Sequence, residues 1–410
     1  MSNVAAPRLG AYAVFAALIA AAGLPIYIHA PKFYVDEYGV SLAALGSVLF
    51  GLRLLDVIQD PLFGRLSERI RDQRAAAVMI AAATMALGML GLFAVEPLFA
   101  PLWWFAVMLV LVFSSFSFLT INFYAQGVIK AERLGEGAHL RLARWRETGA
   151  LLGVCAAAVA PTALALVMEA EFVGFAIGFF LLAVIASLLM QTEWSSAGTP
   201  PGAGLGVVLG DSQARRLLLI ALLNAAPVAV SSTLFLFFVE ARLDAPGMEG
   251  PLLLVFFLSA ALAAPVWSRL AERFGAKRTL LAAMLLAIVS FAFVLVLGSG
   301  DWLLFTLICV ACGAAVGADL TLLPAIFAAR MAKISPSAAE GFGLWSFVSK
   351  FTLAFAAVTL LPALEAAGFQ AGGDSPETAL VLLSLLYAGV PCVLKLIAIV
   401  LLAATPLKEG

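Results

Sequence analysis

Residues 61–69 read PLFGRLSER, and residues 265–273 read PVWSRLAER, 204 positions later. A proline, two arginines, a leucine and a glutamate recur at identical spacing, and more basic residues follow each copy. Each copy ends a long apolar stretch, so the two copies fall at equivalent places in the chain. An internal repeat of this kind predicts a chain that is built from two similar halves.

The composition predicts an integral membrane protein. Of the 410 residues, 63% are hydrophobic and only 12% are charged, and the mean hydropathy is +1.07. Soluble domains contain about 45–50% apolar and about 25% charged residues. A membrane-spanning helix needs about 20 apolar residues. Twelve such spans fit the sequence, at residues 10–30, 42–63, 75–95, 102–128, 148–168, 172–191, 216–240, 250–268, 279–299, 302–329, 345–367 and 379–404.

The distribution of basic residues predicts which side of the membrane each loop occupies. An even number of spans places both termini on the same side. With the termini inside, the cytoplasmic segments hold nineteen of the 24 Lys and Arg residues, and the outer loops hold two. Such an asymmetry follows the positive-inside rule. The sequence therefore predicts an all-α membrane protein with twelve transmembrane helices and both termini in the cytoplasm.

One polar connector divides the chain. Residues 192–215 are rich in Gly, Pro and Ser, which is typical of a flexible linker. The predicted organisation is a six-helix half at residues 1–191, a cytoplasmic linker at 192–215, and a second six-helix half at 216–410. Many transporters are built from such repeats, and their substrate sites lie between the repeats near the middle of the membrane.

The second predicted span contains the stretch RLLDVIQDPLFG, in which two acids interrupt an apolar run. A spacing of four places Asp56 and Asp60 on one face of a helix. A charge at the centre of a span costs about 2.5–3.5 kcal/mol. The matching positions of the second half are Ala260 and Ala264, so the repeated scaffold does not need acids there.

Two interpretations of these acids stay open. They belong either to a structural ion cluster that fixes the packing of the span, or to a site that binds a proton or a cation during transport. Arg53, one turn from Asp56, balances only one carboxylate. Lys350, about one turn inside the eleventh span, is the predicted partner of Asp60 across the halves. Pro61 frees a backbone carbonyl, which favours the cation site.

The pattern R-x-x-D-x-x-x-D-P-x-x-G resembles the span-2 signature of the melibiose-permease group, the glycoside–pentoside–hexuronide:cation symporters of the major facilitator superfamily. FYVDEYGVS (33–41) is similar to that family's FYTDxxGLS. EGFGLWSFVSK (340–350) resembles the start of its span 11, with Lys350 at the place of the family's lysine. Arg146, in ARWRETGALLG, is similar to the family's span-5 arginine.

The resemblance implies a twelve-helix fold and alternating access, in which a cation and a solute move together. It implies that Asp56 and Asp60 hold Na⁺, Li⁺ or H⁺, with help from the hydroxyl of Ser117. These two acids are metal ligands only if the ion is Na⁺. It also implies that Tyr124 and Arg146 lie beside the substrate.

The chain departs from the family pattern at three places. A residue near Phe15 replaces the span-1 acid that binds sugar, Thr120 replaces the span-4 acid, and AARMAK (328–333) replaces a span-10 pattern with two aspartates. We keep Thr120 as a substrate-site candidate. Because acids commonly bind sugar hydroxyls, these departures leave an amphiphile or lysolipid open as an alternative cargo.

Other polar residues in the spans are weaker candidates. Asn224 in span 7 and Asp319 in span 10 line the predicted cavity of the C-terminal half or form hydrogen bonds between helices. For Lys395 in span 12 the sequence offers no partner. The pairs Gly149/Gly153 and Gly313/Gly317 predict close packing of helices.

The function classes are limited by the motifs that the sequence lacks. No P-loop, dinucleotide-binding or nucleophile-elbow motif occurs, so we predict neither an enzyme nor ATP drive. The net charge of −1 and the lack of a basic tail give no sign of nucleic-acid binding.

The prediction is a monomeric carrier of a small organic solute in the bacterial inner membrane. Its coupling ion is Na⁺ or H⁺, it needs no cofactor, and its other partners are membrane lipids. From another class, a non-transporting scaffold or sensor is the alternative.

Overall fold

The computed structural model describes residues 8–131, 134–135, 137–194, 202–369 and 375–407. Within these ranges the chain is helical and contains no β-strand, which confirms the predicted all-α class. The α-helices are α1 (Leu9–Ala21), α2 (Leu24–Tyr38), α3 (Leu42–Arg69), α4 (Arg74–Phe93), α5 (Pro101–Ala131), α6 (Ala138–Leu164), α7 (Glu171–Met190), α8 (Leu205–Gly210), α9 (Ser212–Phe237), α10 (Glu249–Phe274), α11 (Ala276–Ala292), α12 (Trp302–Ile334), α13 (Ala339–Ala366), α14 (Glu377–Ser384) and α15 (Val390–Ala404).

Nine helical segments in the described ranges are long and apolar enough to cross a membrane. They begin at Arg71, Pro101, Ala138, Glu171, Ser212, Glu249, Ala276, Trp302 and Glu377. The predicted first span is interrupted, because Gly23 has φ −90° and ψ −117°, outside the helical region, and separates α1 from α2. The count of twelve spans and the cytoplasmic side of the termini stay predictions.

The chain forms two compact units, the first of which comprises Met1–Gly210 and Ala328–Phe347. In this unit α1 packs along α6, and α4 packs along α5. The first turns of α13 pack closely on α3. A Cβ atom at Gly64 would lie 3.0 Å from the carbonyl oxygen of Ala339, and one at Gly343 would lie 3.0 Å from that of Asp60.

The second unit comprises Asp211–Phe327 and Val348–Gly410. Here α9 packs along α15, and α10 packs along α11. Two π-helical turns, Phe238–Arg242 and Leu385–Gly389, interrupt the regular helix in this unit. The rings of Phe238 and Tyr387 stack with their centroids 4.3 Å apart. The predicted division of the chain around the linker at 192–215 stays a prediction, and its residues 195–201 lie outside the described ranges.

Glycines bring helix backbones close together in both units. A Cβ atom at Gly149 of α6 would lie 2.1 Å from the carbonyl oxygen of Ala13 in α1, and one at Gly153 would lie 2.5 Å from that of Ala17. In the second unit, α12 approaches α10 in the same way at Gly313 and Gly317. Small residues at such interfaces let membrane helices approach closely. The GxxxG pairs therefore mark helix contacts within each unit.

Candidate functional site

Helix α3 carries the two acids on a face that is buried in the first unit. Asp56 is 2% exposed and Asp60 is 0% exposed, whereas Ile58 and Leu62 on the opposite side are 65% and 53% exposed. Ser41 caps the N-terminus of the helix, and its hydroxyl accepts a hydrogen bond from the backbone N–H of Ala44. The apolar side chains therefore face outward and the carboxylates face inward, as their spacing of four predicts.

The carboxylate of Asp56 lies in a polar cluster between α3 and α5. Its Oδ1 accepts a hydrogen bond from Nε2 of Gln59 at 2.7 Å and one from Oγ of Ser117 at 3.3 Å. Oγ of Ser114 donates to Oε1 of Gln59 at 3.0 Å. The structure therefore brings Ser117 to Asp56, the juxtaposition that the family resemblance implies.

The carboxylate of Asp60 is bound from α13. Oγ of Ser346 donates to Oδ2 of Asp60 at 2.5 Å, and both side chains are buried. A hydrogen bond between a hydroxyl and a carboxylate of this length is strong. Close packing of Gly64 and Gly343 brings α13 near enough to α3 for this bond to form.

The two predicted cationic partners lie in different units. Arg53 is half-buried on α3 in the first unit. Lys350 is 8% exposed and belongs to the second unit. Its predicted pairing with Asp60 stays a prediction.

The polar atoms around Asp56 and Asp60 are suited to a hard cation or a proton. Carboxylate, hydroxyl and amide oxygens are the ligands that hard cations prefer. Among the described residues, no group of three or more His, Cys, Asp or Glu side chains is arranged to hold a metal ion. The two carboxylates and the neutral oxygens beside them are the groups that would hold such an ion.

A second cluster in the first unit joins Tyr124 of α5 to Arg146 and Glu147 of α6. The Tyr124 hydroxyl donates to Oε1 of Glu147 at 2.9 Å, and Nε of Arg146 donates to the same oxygen at 2.7 Å. The guanidinium carbon of Arg146 lies 3.6 Å from the centroid of the Tyr124 ring, a cation–π contact. One terminal nitrogen of Arg146, Nη2, is buried without a hydrogen-bond partner.

One face of α5 links the two clusters. Ser117, Thr120 and Tyr124 are spaced three and four residues apart, so they lie on the same side of the helix. At 1.5 Å per residue, Ser117 and Tyr124 are about 10 Å apart along the axis. The Thr120 hydroxyl donates to the Phe116 carbonyl oxygen at 2.7 Å, so its hydrogen is used within the helix.

The remaining candidates meet in the second unit around Lys395. Nζ of Lys395 donates to Oδ1 of Asn224 at 2.6 Å and also to Oδ2 of Asp319. All three side chains are buried. The lysine for which the sequence offers no partner is thus the centre of an ion-pair cluster that joins α9, α12 and α15.

Three residues of the first unit were not predicted from the sequence. Gln59 stands at i+3 from Asp56, and Glu147 directly follows Arg146, so helical spacing and adjacency were the available signals. Ser346 lies 286 residues from Asp60. No local pattern indicates this contact.

Comparisons with known proteins agree with this architecture. The family model described as MFS/sugar transport protein matches residues 10–409. A variant of the fucose:proton symporter FucP of E. coli has a similar structure, with a TM-score of 0.64 at 14% identity over 95% of this chain and 98% of that chain. The major facilitator superfamily transporter FucP in its outward conformation gives 0.62 at 13% identity over the same shares of the two chains. No curated protein matches the sequence.

The family match spans nearly the whole described chain, including the residues of both clusters in the first unit. It confirms the predicted membership of the major facilitator superfamily and the prediction that the protein is not an enzyme. The likeness to FucP shows the fold. The chain therefore belongs to the MFS/sugar transport protein family of integral membrane transporters.

Proposed function

We propose that this transporter is a cation-coupled symporter that moves a small polar organic solute across the bacterial inner membrane by alternating access, working as a monomer. Its coupling ion is Na⁺ or H⁺ and is bound at Asp56 and Asp60. The observation that carries the proposal is the burial of both carboxylates among hydroxyl and amide groups in a helix whose other side is apolar. FucP, which shares the fold, is a proton symporter by its description.

Energetics favours an ion site over a packing role. Each buried acid costs a few kcal/mol in a membrane span. The equivalent positions of the second half, Ala260 and Ala264, are buried alanines. The repeated helix therefore packs without acids, and the charges of the first unit serve another purpose. A cation or a proton bound there lowers the cost of burying the carboxylates.

The cluster of Tyr124, Arg146 and Glu147 supports a polar solute. Arg146 and Glu147 form a buried ion pair with an N–O distance of 2.7 Å, so the pair carries no net charge. The free Nη2 of Arg146 donates hydrogen bonds, the carboxylate of Glu147 accepts them, and the ring of Tyr124 offers an apolar surface. Such a combination fits a polyhydroxylated molecule and supplies a carboxylate although Thr120 replaces the family's span-4 acid. The apolar part of an amphiphile could not form hydrogen bonds with these groups, so the cluster supports an amphiphile less well.

We assign the polar substrate contacts to the first unit. Thr120 contributes a side chain on the shared face of α5. In the second unit, Asn224 and Asp319 use their oxygens to bind Lys395. Ion and solute are then about 10 Å apart on α5. A shift of α5 that improves one site therefore reaches the other, and the two ligands raise each other's affinity by the same factor.

The experiment measures solute binding and uptake in proteoliposomes for the wild type and for Asp56→Asn. In the wild type, saturating ion should raise solute affinity about 5–150-fold, the usual range of coupling free energies. Asp56→Asn should abolish this gain and abolish accumulation, while solute binding without the ion is retained. Glu147→Gln should do the reverse, weakening solute binding while the ion still improves the remaining affinity.

Asp72→Asn is the matched control, because it makes the same change on a side chain that is 88% exposed. It should behave as the wild type. If Asp56→Asn and Asp60→Asn both accumulate solute with unchanged ion dependence, the acids are packing elements and the proposal fails. Wild-type protein that moves no solute under any ion gradient would instead favour the scaffold or sensor alternative.

A further inference from the structure

The cluster around Lys395 has the composition of a cation site. Its oxygen ligands, Oδ1 of Asn224 and Oδ2 of Asp319, both accept hydrogen bonds from the Lys395 ammonium group. The side chains are 7%, 6% and 4% exposed, in the order Asn224, Asp319, Lys395. An ammonium ion and a monovalent metal ion bind the same kinds of oxygen. Lys395 therefore occupies a place that an external cation would fill.

The carboxylate of Asp319 has a second oxygen atom that does not accept a hydrogen bond from Lys395. Oδ1 of Asp319 is buried and accepts no hydrogen bond of regular geometry, although the Asn224 side chain also interacts with this carboxylate. A buried carboxylate oxygen without a partner is costly, and native structures explain such groups by a bound ion, a water or a function. Its position beside the ammonium group makes it a spare ligand of the same site.

Prolines stand close in sequence to both oxygen ligands. Pro227 of α9 and Pro324 of α12 lie inside their helices. Because proline lacks the N–H group, each removes the regular helical hydrogen bond to the carbonyl oxygen four residues earlier, at Leu223 and Leu320. These two residues directly precede Asn224 and directly follow Asp319. Freed carbonyls beside side-chain oxygens are typical of ion sites within membrane helices.

The third helix is also irregular at this level. The π-helical turn Leu385–Gly389 ends just before Pro391, and Lys395 follows one turn later. π-helical turns occur frequently at functional sites. The three helices that carry the cluster thus each contain a proline near it, and one also contains a π-helical turn.

A purely structural ion pair is the competing explanation. It accounts for the burial of Lys395 and Asp319, since one buried charge needs the other. It leaves unexplained the spare carboxylate oxygen and the prolines beside the two oxygen ligands. Shifting by the 204-residue repeat places Ser115 opposite Asp319 and Ala20 opposite Asn224, so the other half folds without such a pair.

We propose that Asn224 and Asp319 form a second binding site for a monovalent cation, and that its permanent occupant is the ammonium group of Lys395. The second unit thereby carries its cation covalently. One consequence rests on the proposed function: the transporter exchanges a single ion per cycle, the one at Asp56 and Asp60. Removal of the tethered ammonium group should open the second site to ions from solution.

The test measures the melting temperature of Lys395→Ala in lipid nanodiscs. This variant lacks three carbons and the ammonium group, the same atoms that n-propylammonium contains. Alone, it should melt well below the wild type. Propylammonium or Na⁺ at a hundredfold excess over Kd should raise its folded-to-unfolded ratio about a hundredfold. Tetramethylammonium, which donates no hydrogen bond and is larger than Na⁺, should have no effect beyond ionic strength.

Two controls isolate the site. Lys277→Ala deletes the same atoms from a lysine outside this cluster, which donates to the carbonyl oxygens of Ala403 and Thr405, and should show no rescue. Asp319→Asn/Lys395→Ala lacks the charged ligand and should lose the response to both cations. Any change in melting temperature that Na⁺ causes by binding at Asp56 and Asp60 is common to all variants, so it cancels when their shifts in melting temperature are compared.

The proposal is overturned if Lys395→Ala responds to propylammonium and Na⁺ no more than the wild type or Lys277→Ala does. It is equally overturned if the double variant keeps the full response. If Lys395→Ala is recovered only from cells grown with propylammonium, that dependence is itself the expected rescue, and no recovery under either condition counts against the site. Because the readout is melting temperature, the result is independent of whether Asp56 couples transport.

Discussion

The contact between α1 and α6 allows a prediction whose sign depends on the tertiary structure. Gly149→Ala adds one methyl group where α6 meets the backbone of α1. The new Cβ would lie 2.1 Å from the carbonyl oxygen of Ala13, whereas ordinary contacts begin at about 3.4 Å. The helices would have to separate by about 1.3 Å at this point. The obstacle is backbone, so no side-chain rotation can relieve it.

The magnitude follows from two opposing effects. Overpacking of a tight interface costs about 1–3 kcal/mol, and a backbone obstacle places the cost at the upper end. Alanine in place of glycine inside a helix recovers up to about 1 kcal/mol. The expected net loss is about 2 kcal/mol, or roughly a 30-fold fall in the folded-to-unfolded ratio. Gly153→Ala, 2.5 Å from the oxygen of Ala17, should cost somewhat less.

The assay is thermal or denaturant unfolding of purified protein in one detergent. Gly178→Ala is the matched control, because Gly178 lies within α7 and a Cβ there would meet nothing within 4 Å. It should leave stability unchanged or raise it by up to about 1 kcal/mol. If Gly149→Ala is as stable as the wild type while Gly178→Ala behaves as expected, the close α1–α6 contact is wrong.

Two further predictions concern the topology and the pKa of Glu340. Ser212→Cys should react with a membrane-impermeant thiol reagent only from the cytoplasm and Glu37→Cys only from outside; external labelling of Ser212→Cys would reverse the predicted topology. Burial, and then the neighbouring Glu68, raise the pKa of Glu340, which precedes the predicted span at 345–367. The stability that its protonated form contributes is complete below the ordinary pKa of about 4.3 and declines as pH rises through the raised value. Melting curves across this range should therefore fall more steeply for the wild type than for Glu340→Gln, and parallel curves would contradict the assignment.

Much of the ion site could be predicted from the sequence, because its core is local. The spacing of Asp56 and Asp60 places both acids on one helical face, and burial shows that this face turns inward. Gln59 stands three residues after Asp56, so helical spacing also places it near this carboxylate. Ser117 was found only through the family resemblance, since it belongs to another helix.

The Lys395 cluster illustrates where sequence reasoning ends. Asn224, Asp319 and Lys395 are each the isolated polar residue of an apolar helical stretch. Lys395 lies 171 residues from Asn224 and 76 residues from Asp319 along the chain. Taken singly, Asn224 and Asp319 suggested cavity-lining groups or hydrogen bonds between helices, and Lys395 had no predicted partner. Only the packing of α9, α12 and α15 shows that the three satisfy one another.

The sequence by itself determined the membrane class, the helical secondary structure and the buried face of α3, because these depend on apolar content and on periodicities of three to four residues. The tertiary structure decided which buried polar groups meet: Ser346 with Asp60, and Lys395 with Asp319. The physical reason is that helix formation is set by neighbours along the chain. The choice of adjoining helix faces depends on close packing at glycines and on hydrogen bonds between residues that are 76 to 286 positions apart.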